Sequence, residues 1–338
     1  MSIWIGFLLV IIGGIFQGTY FLGLKLVNPW KWENIWSLYA LFALICFPWG
    51  LALITIPDAR QIYAAVPGTA LLLVFLFGAG WGIGGALAGL GVERMGMAMG
   101  VSVLISITAA LGSFVPFVLQ TPELVFAKKG LMIILAVATL LVGVALVAVG
   151  GKKRDRSQTA TEKAVAKGSF AVGLVICVFS GIFSAMLNCA FAFSQPIADA
   201  ALQSGASPLG ALTAVWSVAL AGGFIPNALY TSFLLTRNKT WSNFCLPNTR
   251  RFWLVGLVMG ALWTASVILY GRGAGVMGQL GAVVGWPMFL GIMIVVSNLW
   301  GFAMGEWRTA NVQARRYMYA GLAVLVIASV LLGVANQS

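Results

Sequence analysis

The sequence has little charge, and this absence excludes an ordinary soluble protein. Only 8% of its 338 residues are charged, whereas 61% are hydrophobic. A soluble domain carries about 25% charged residues because its surface faces water. Most of the surface of this chain must therefore face another solvent, and the hydrocarbon of a lipid bilayer is the one that fits.

Histidine is absent, and cysteine and acidic residues are few, which disfavours an enzyme. The four cysteines form no Cys-x-x-Cys pair, and three of them lie in apolar runs. We interpret them as small apolar side chains, not as metal or redox ligands. The eight acidic residues all lie away from the middle of the apolar runs. We therefore expect no catalytic residues, no metal and no cofactor.

The net charge of +12 could indicate a nucleic-acid-binding protein. The basic residues, however, lie in short connectors between apolar runs and do not gather on one face. In such connectors, Lys and Arg act as orientation signals for membrane insertion. We therefore expect the lipid bilayer as a partner and no nucleic acid.

Ten apolar runs are long enough to cross a membrane, for which about 20 residues are needed. The runs are continuously apolar and do not alternate, which argues against strands. The predicted fold is all-α, an integral membrane protein with ten transmembrane helices. The ninth run contains Pro287 and many glycines, which favour a kink or break. The runs are residues 3–23, 34–54, 70–90, 98–119, 130–149, 170–193, 209–234, 252–271, 277–302 and 317–335.

The distribution of basic residues predicts the orientation of the chain. The connectors after the first, third, fifth, seventh and ninth runs hold sixteen of the 20 Lys and Arg residues. Cytoplasmic connectors carry such an excess. These connectors are therefore predicted to be cytoplasmic, and both termini are predicted to lie outside.

Two apolar halves are separated by residues 151–168, the longest polar stretch, which we predict to be a cytoplasmic linker. Residues 1–150 and 169–338 are then the first and second five-helix repeats. Gly14-Ile15-Phe16 matches Gly181-Ile182-Phe183, and GAGW at 78–81 matches GALW at 260–263. Because five is an odd number, two such halves enter the membrane in opposite senses. Inverted repeats of this kind are typical of secondary transporters, with the substrate site between the halves.

Several motifs carry a resemblance to a known family. They are LVNPWKWENIW (26–36), Pro48-Trp49, FLFGAGWGIG (75–84), MGMAMG (95–100), GIFSA (181–185) and Glu306-Trp307. With the ten helices, these motifs resemble the drug/metabolite transporter superfamily and are most similar to the L-rhamnose–proton symporter family. The resemblance implies uptake of L-rhamnose or a related small sugar with a proton, by alternating access, across the inner membrane of a bacterium.

The chain also departs from that family. Sugar transporters of the family have polar and aromatic residues after the Trp-Gly-Ile-Gly motif, where this chain has Gly85-Ala86-Leu87-Ala88. Residues 271–287 are likewise less polar than the family pattern. A transporter of the same superfamily that moves a different small metabolite, in either direction, is therefore the alternative. A membrane-embedded enzyme and a channel are less favoured, the channel because it would leave the repeat unexplained.

A neutral deoxysugar needs uncharged donors and acceptors and an aromatic face against its ring. Polar side chains in lipid-spanning helices are costly unless they face a partner or a cavity. Helix-to-helix hydrogen bonding is the alternative for the amides, and packing or interfacial anchoring is the alternative for the tryptophans. The candidate substrate-binding residues are Gln17, Tyr20, Trp81, Asn188, Trp216, Trp263 and Gln279.

Proton coupling needs a group that changes its protonation, and Glu33 with Lys25 is the candidate pair. Glu33 lies at the start of the second helix, and a favourable position at a helix N-terminus is its alternative role. Lys25 lies at the end of the first helix, where its charge can extend to the membrane surface. A gate formed by Lys25 and Glu33 is the functional hypothesis. Ten helices from two halves can enclose a cavity alone, so we expect a functional monomer.

Overall fold

The computed structural model describes residues 3–95, 97–157 and 170–337, and these residues contain thirteen α-helices and no strand. Ten spans are long and apolar enough to cross a membrane. The prediction of an all-α protein with ten membrane helices is confirmed. The helices are α1 (Ile3–Thr19), α2 (Trp32–Leu41), α3 (Phe47–Thr55), α4 (Ala59–Ala65), α5 (Gly68–Met95), α6 (Met97–Gln120), α7 (Lys128–Ser157), α8 (Phe170–Ala192), α9 (Gln195–Gln203), α10 (Pro208–Arg237), α11 (Arg250–Val276), α12 (Gly281–Ala303) and α13 (Val312–Gln337).

Two of the ten spans combine more than one kind of helix. The first continues from α1 through a 3-10 turn at Tyr20–Lys25. The second joins α2 to α3 through a π turn at Phe42–Cys46, directly before Pro48. Proline has no N–H, and its ring crowds the carbonyl four residues earlier, so a widened turn beside it has a steric cause.

Two short helices in the connectors are absent from the sequence prediction. In α4, the carboxylate of Asp58 caps the first turn by accepting from Gln61 N at 3.0 Å. In α9, Pro196 stands in the first turn, where the missing N–H has no partner to lose, and Ile197 is buried on its inner face. The polarity of both segments hides them from a search for long apolar runs.

Of the kink or break expected in the ninth run, no break occurs at Pro287, because α12 is continuous from Gly281 to Ala303. The carbonyl four residues before this proline, Val283 O, accepts the hydroxyl of Ser113 at 2.6 Å. A proline inside a helix frees that carbonyl, and a partner from a neighbouring helix restores its hydrogen bond. The chain turns earlier instead, where Gly278 has a φ of 81°.

Helices of the two halves interleave. Helix α1 packs against α11 and α12, helix α8 packs against α5 and α6, and α7 lies along α13. A Cβ atom at Gly14 would lie 2.8 Å from Ile292 Cβ, and one at Gly181 would lie 2.6 Å from Ile107 Cβ. The absence of a side chain thus allows close helix contact at both positions. These two glycines are matched in the predicted repeat, whose inverted arrangement stays a prediction.

The predicted linker at 151–168 lies partly outside the described residues. Its first seven residues, 151–157, extend α7 beyond the apolar run. The remainder of the linker is not part of the described chain, and neither is Gly96 in the MGMAMG motif.

Candidate functional site

The connectors fall at two ends of the helix bundle, because consecutive spans alternate in direction. The end that carries the connectors after the first, third, fifth, seventh and ninth spans is called the odd end. It includes residues 26–31 and 238–249. The even end carries the other connectors, including residues 56–67 and 193–207.

A cavity of about 620 Å³ opens at the even end. Its walls come from the second-half helices α8 to α12 and from the last residue of α6. This volume lies in the range of small-molecule sites, about 300–1,000 Å³. The lining residues are Gln120, Phe191, Ala192, Ser194, Gln195, Ala198, Leu202, Pro208, Ala211, Leu212, Val215, Gly271, Arg272, Ala274, Gly275, Gly278, Gln279 and Ala282.

An aromatic cluster forms the inner side of this cavity. Phe191, which lines it, stacks on Trp216 with ring centroids 5.6 Å apart and meets Tyr270 edge-on at the same distance. The indole N–H of Trp216 is buried without a hydrogen-bond partner. A Cβ atom at Gly271, a wall residue, would lie 3.0 Å from that nitrogen. An unused donor therefore lies close behind Gly271, in a tightly packed place beside the aromatic rings.

Asn188 lies directly beneath the cluster and joins four helices. Its Nδ2 donates to Gly112 O of α6 at 2.7 Å and to Ala282 O of α12 at 3.0 Å, and its Oδ1 accepts from the Tyr270 hydroxyl of α11. Gly112 precedes Pro116 by four residues, so its carbonyl has lost the usual helix donor. Asn188 is fully buried and supports the cavity from below.

A second aromatic cluster lies apart from the residues that line the cavity. Trp81 of α5 stacks on Trp263 of α11 at 5.2 Å. Tyr39 meets Trp263 edge-on at 6.2 Å and stacks on Tyr20 at 5.3 Å. Nearby, Gln17 of α1 accepts the hydroxyl of Ser266 of α11 at 2.6 Å. These rings form a row that joins helices of the two halves.

Polar contacts join the start of α2 to a connector at the odd end. Oε1 of Glu33, which is 5% exposed, accepts from Asn238 Nδ2 at 3.0 Å and from Thr240 Oγ1 at 2.8 Å. Asn34 Nδ2 donates to Thr240 O at 2.8 Å, and Asn243 Nδ2 donates to Asn34 Oδ1 at 3.0 Å. The start of α2 is thereby held to the connector between α10 and α11.

An ion-pair cluster joins other elements at the odd end. Glu306, between α12 and α13, pairs with Lys25 at the end of the first span. Its second oxygen lies 3.4 Å from Arg154 Nη1 of α7. The hypothesis that Lys25 pairs with Glu33 is therefore replaced by a pair with Glu306, which lies 281 residues away along the chain.

The structure separates the candidate residues into groups. Gln279 lines the cavity. Trp216 stacks behind the lining residue Phe191, and Asn188 lies deeper and bonds to Ala282 O, whose residue also lines the cavity. The other four, Gln17, Tyr20, Trp81 and Trp263, belong to the row of rings and its surroundings.

Sequence reasoning missed Phe191, Tyr270 and Arg272, which the fold brings to this cavity. Phe191 and Tyr270 look like ordinary apolar residues near the ends of apolar runs, and Arg272 looks like a connector charge. Among the described residues, no group of His, Cys, Asp and Glu could hold a metal ion.

Comparison with known proteins gives one consistent result. The chain matches the family model of the L-rhamnose-proton symport protein over residues 1–338. The L-rhamnose-proton symporter of Klebsiella pneumoniae strain 342 is 28% identical over 335 residues, which cover 97% of this chain and 96% of that protein. The symporter of Mannheimia succiniciproducens is 28% identical over 344 residues, or 99% of both chains. That of Yersinia pestis strain Pestoides F is 27% identical over 339 residues, or 98% of both.

Proposed function

The chain belongs to the L-rhamnose–proton symport protein family, and we propose that it takes up L-rhamnose or a closely related small sugar together with a proton. It is a multi-pass membrane protein and a transporter, not an enzyme. Its full-length relatives are named L-rhamnose-proton symporters. We assign it to the inner membrane of a bacterium, where a proton gradient drives uptake.

The observation that carries the proposal is the difference between the two ends of the bundle. A cavity with an aromatic floor opens at the even end. At the odd end, polar bonds join α2 to the connector after α10, and ion pairs join the first span to α7 and Glu306. Alternating access requires a site open to one side while the other side is closed.

The excess of Lys and Arg at the odd end supports a cytoplasmic location for that end. The cavity then faces outside, where an importer collects its solute, and both termini lie outside too. The arrangement is compatible with two inverted five-helix repeats, 1–150 and 169–338, and with a functional monomer that binds its solute and a proton.

The cavity suits a sugar. Phe191 offers a ring face in the cavity wall to the apolar side of a pyranose, and the buried ring of Trp216 stacks behind it. The amides of Gln120, Gln195 and Gln279 add neutral hydrogen-bonding groups around the opening. Of the two departures from the family pattern, residues 85–88 do not line the cavity, whereas the segment 271–287 supplies seven of its lining residues and is the place where a difference in solute would arise.

We place proton coupling at Glu33. It is buried, and its bonds to Asn238 and Thr240 connect the first half of the chain to the second. Hydrogen bonds to a charged carboxylate are about twice as strong as neutral ones. Protonation of Glu33 would weaken this bridge and favour opening of the odd end, with Lys25 and Glu306 acting as the second closure.

The direct test is uptake of labelled L-rhamnose into sealed proteoliposomes that contain the purified protein. We expect accumulation when an inward proton gradient is imposed and only equilibration without it. Unlabelled deoxysugars should compete with the label. If folded protein in sealed vesicles gives no uptake, the solute assignment is wrong, and a different small metabolite must be sought.

Glu33→Gln is expected to abolish gradient-driven accumulation, because the amide keeps the size of the side chain but cannot exchange a proton. Sugar binding and exchange without a gradient should persist. The matched control is Glu123→Gln, which changes an exposed carboxylate in the connector between α6 and α7 and should leave coupling unchanged. Coupling at the wild-type level in the Glu33 variant would refute this role.

Trp216→Phe is expected to raise the KM for uptake, because the smaller ring leaves a gap behind Phe191, the aromatic residue of the cavity wall. The comparison is Trp263→Phe, which makes the same change in the other aromatic cluster. A larger effect at Trp216 supports the even-end cavity as the site. A larger effect at Trp263 moves the site to the row formed by Trp81 and Trp263.

A further inference from the structure

Arg272 differs from every other partly buried basic residue that the structure describes. It is half-buried in the wall of the cavity, and it has no hydrogen bond, ion pair or ring contact within the described chain. All the others have an acceptor from the protein, whether a carbonyl, an amide oxygen or a carboxylate. They are Arg94, Lys129, Lys153, Arg154 and Arg315.

The rest of the cavity wall leaves the charge of Arg272 unbalanced. No carboxylate is among the described residues that line the cavity. Apart from Arg272, the polar lining residues are all neutral: Gln120, Ser194, Gln195 and Gln279. Helix α9 does carry an acid, Asp199, but this residue is exposed, and its Oδ1 accepts from Gln195 Nε2 at 2.7 Å. The cavity wall therefore holds one cation, Arg272, that forms no ion pair within the described chain and has no carboxylate among its fellow lining residues.

A cation that has lost part of its hydration is stabilised by an anion placed within hydrogen-bond distance. The planar guanidinium suits a carboxylate in particular, because two parallel N–H groups can bind both of its oxygens. One cation among neutral amides matches a single negative charge. A neutral sugar leaves this charge without a partner, whereas a sugar acid would satisfy it.

We propose that the cavity is also a site for sugar monocarboxylates of monosaccharide size, with Arg272 binding the carboxylate. Phe191, backed by Trp216, would hold the ring, and the amides would bind hydroxyls. This inference rests on the proposed function in that it uses the same cavity, and it extends the range of solutes from neutral deoxysugars to acidic ones.

The test compares sugars that differ only at C6. Binding of D-galacturonate, D-galactose and D-fucose to the purified protein is measured by thermal stabilisation, and competition with L-rhamnose uptake is measured in proteoliposomes. We expect D-galacturonate to bind at least about tenfold more tightly than its two neutral counterparts, as for a hydrogen bond to a charged group. Arg272→Gln should abolish that preference, and Arg272→Lys should retain part of it.

Two controls separate carboxylate binding in the cavity from a general effect of positive charge and from lipid binding. Arg60→Gln removes an exposed cation at the same end but outside the cavity, and it should leave the preference for the acid unchanged. Vesicles are made with and without phosphatidylglycerol. If Arg272→Gln alters only the response to this lipid, Arg272 binds a lipid headgroup and the inference is overturned.

The outcomes for the inference and for the proposed function are distinguishable. If D-galacturonate binds no better than D-galactose, the carboxylate site is refuted, while proton-driven L-rhamnose uptake stands on its own assay. If D-galacturonate binds through Arg272 but L-rhamnose is not transported, the inference holds and the solute of the proposed function must be changed.

Discussion

Gly78→Ala is expected to abolish transport and to prevent stable folding. A Cβ atom at this position of α5 would lie 1.7 Å from Ala219 O of α10, a backbone atom that cannot move aside as a flexible side chain would. The reverse contact is equally close, since a Cβ atom at Gly222 would lie 2.0 Å from Phe75 O. Overpacking of this kind costs about 3 kcal/mol or more, because the two helices must separate.

The matched control for this prediction lies two turns further along the same helix. At Gly85, no atom of a neighbouring helix lies within 4 Å of the place that a Cβ atom would take, so Gly85→Ala should fold and transport normally. Both variants receive the same gain in helix propensity, so a difference between them reports packing alone. Thermal unfolding in detergent and uptake in vesicles measure it. Equal stability of the two variants would contradict the close contact of α5 with α10.

Asn188→Leu should have the second largest effect. The substitution leaves Gly112 O without a donor and the Tyr270 hydroxyl without its acceptor, both in a fully buried place. Each unsatisfied buried group costs about 1–3 kcal/mol, so we expect a loss of about 2–4 kcal/mol in the free energy of unfolding. Uptake should fall by at least about tenfold, since the floor of the cavity loses its support.

A second substitution can test the cause of that loss. Pro116→Ala returns an N–H to α6 at the position where it can donate to Gly112 O, so it should recover part of the stability of Asn188→Leu. The control is Asn298→Leu, where the amide donates to Ile294 O of its own helix at 2.9 Å and should matter less. If Asn188→Leu instead keeps full stability but loses sugar binding, Asn188 contacts the solute directly.

The two amide candidates Gln17 and Asn188 show why site residues are hard to predict in a membrane protein. Both are candidates because polar groups inside apolar helices need a partner. The partner of each is another helix, through Ser266 for Gln17 and through three helices for Asn188. A hydrogen bond to a neighbouring helix and one to a solute satisfy the same chemical need, so the sequence pattern is the same for both.

The aromatic candidates also show that the role of a residue in the site is hard to predict from the sequence. Matched positions in the two halves predict Trp81 and Trp263 as a pair, and they do stack. In the sequence, Trp216 is one polar group among many, yet its indole N–H is the one left without a partner beside the cavity. Only the packing around each ring decides whether its donor finds a partner in the protein.

The amino-acid sequence by itself determined the membrane environment, the ten spans and the concentration of positive charge at one end. These properties depend on local composition, because any run of about 20 apolar residues is driven into the hydrocarbon whatever its neighbours are. It also contained the motifs that relate the chain to its family.

The tertiary structure alone decided where the cavity lies and which charges meet. The cavity forms where residues from the ends of α8, α10, α11 and α12 meet α9, a property of how the helices pack together and not of any one of them. The partner of Lys25 is Glu306 and not the nearby Glu33, because the end of the first span packs beside the end of α12. Contacts between residues so far apart in the chain depend on long-range packing, about which a local sequence pattern carries no information.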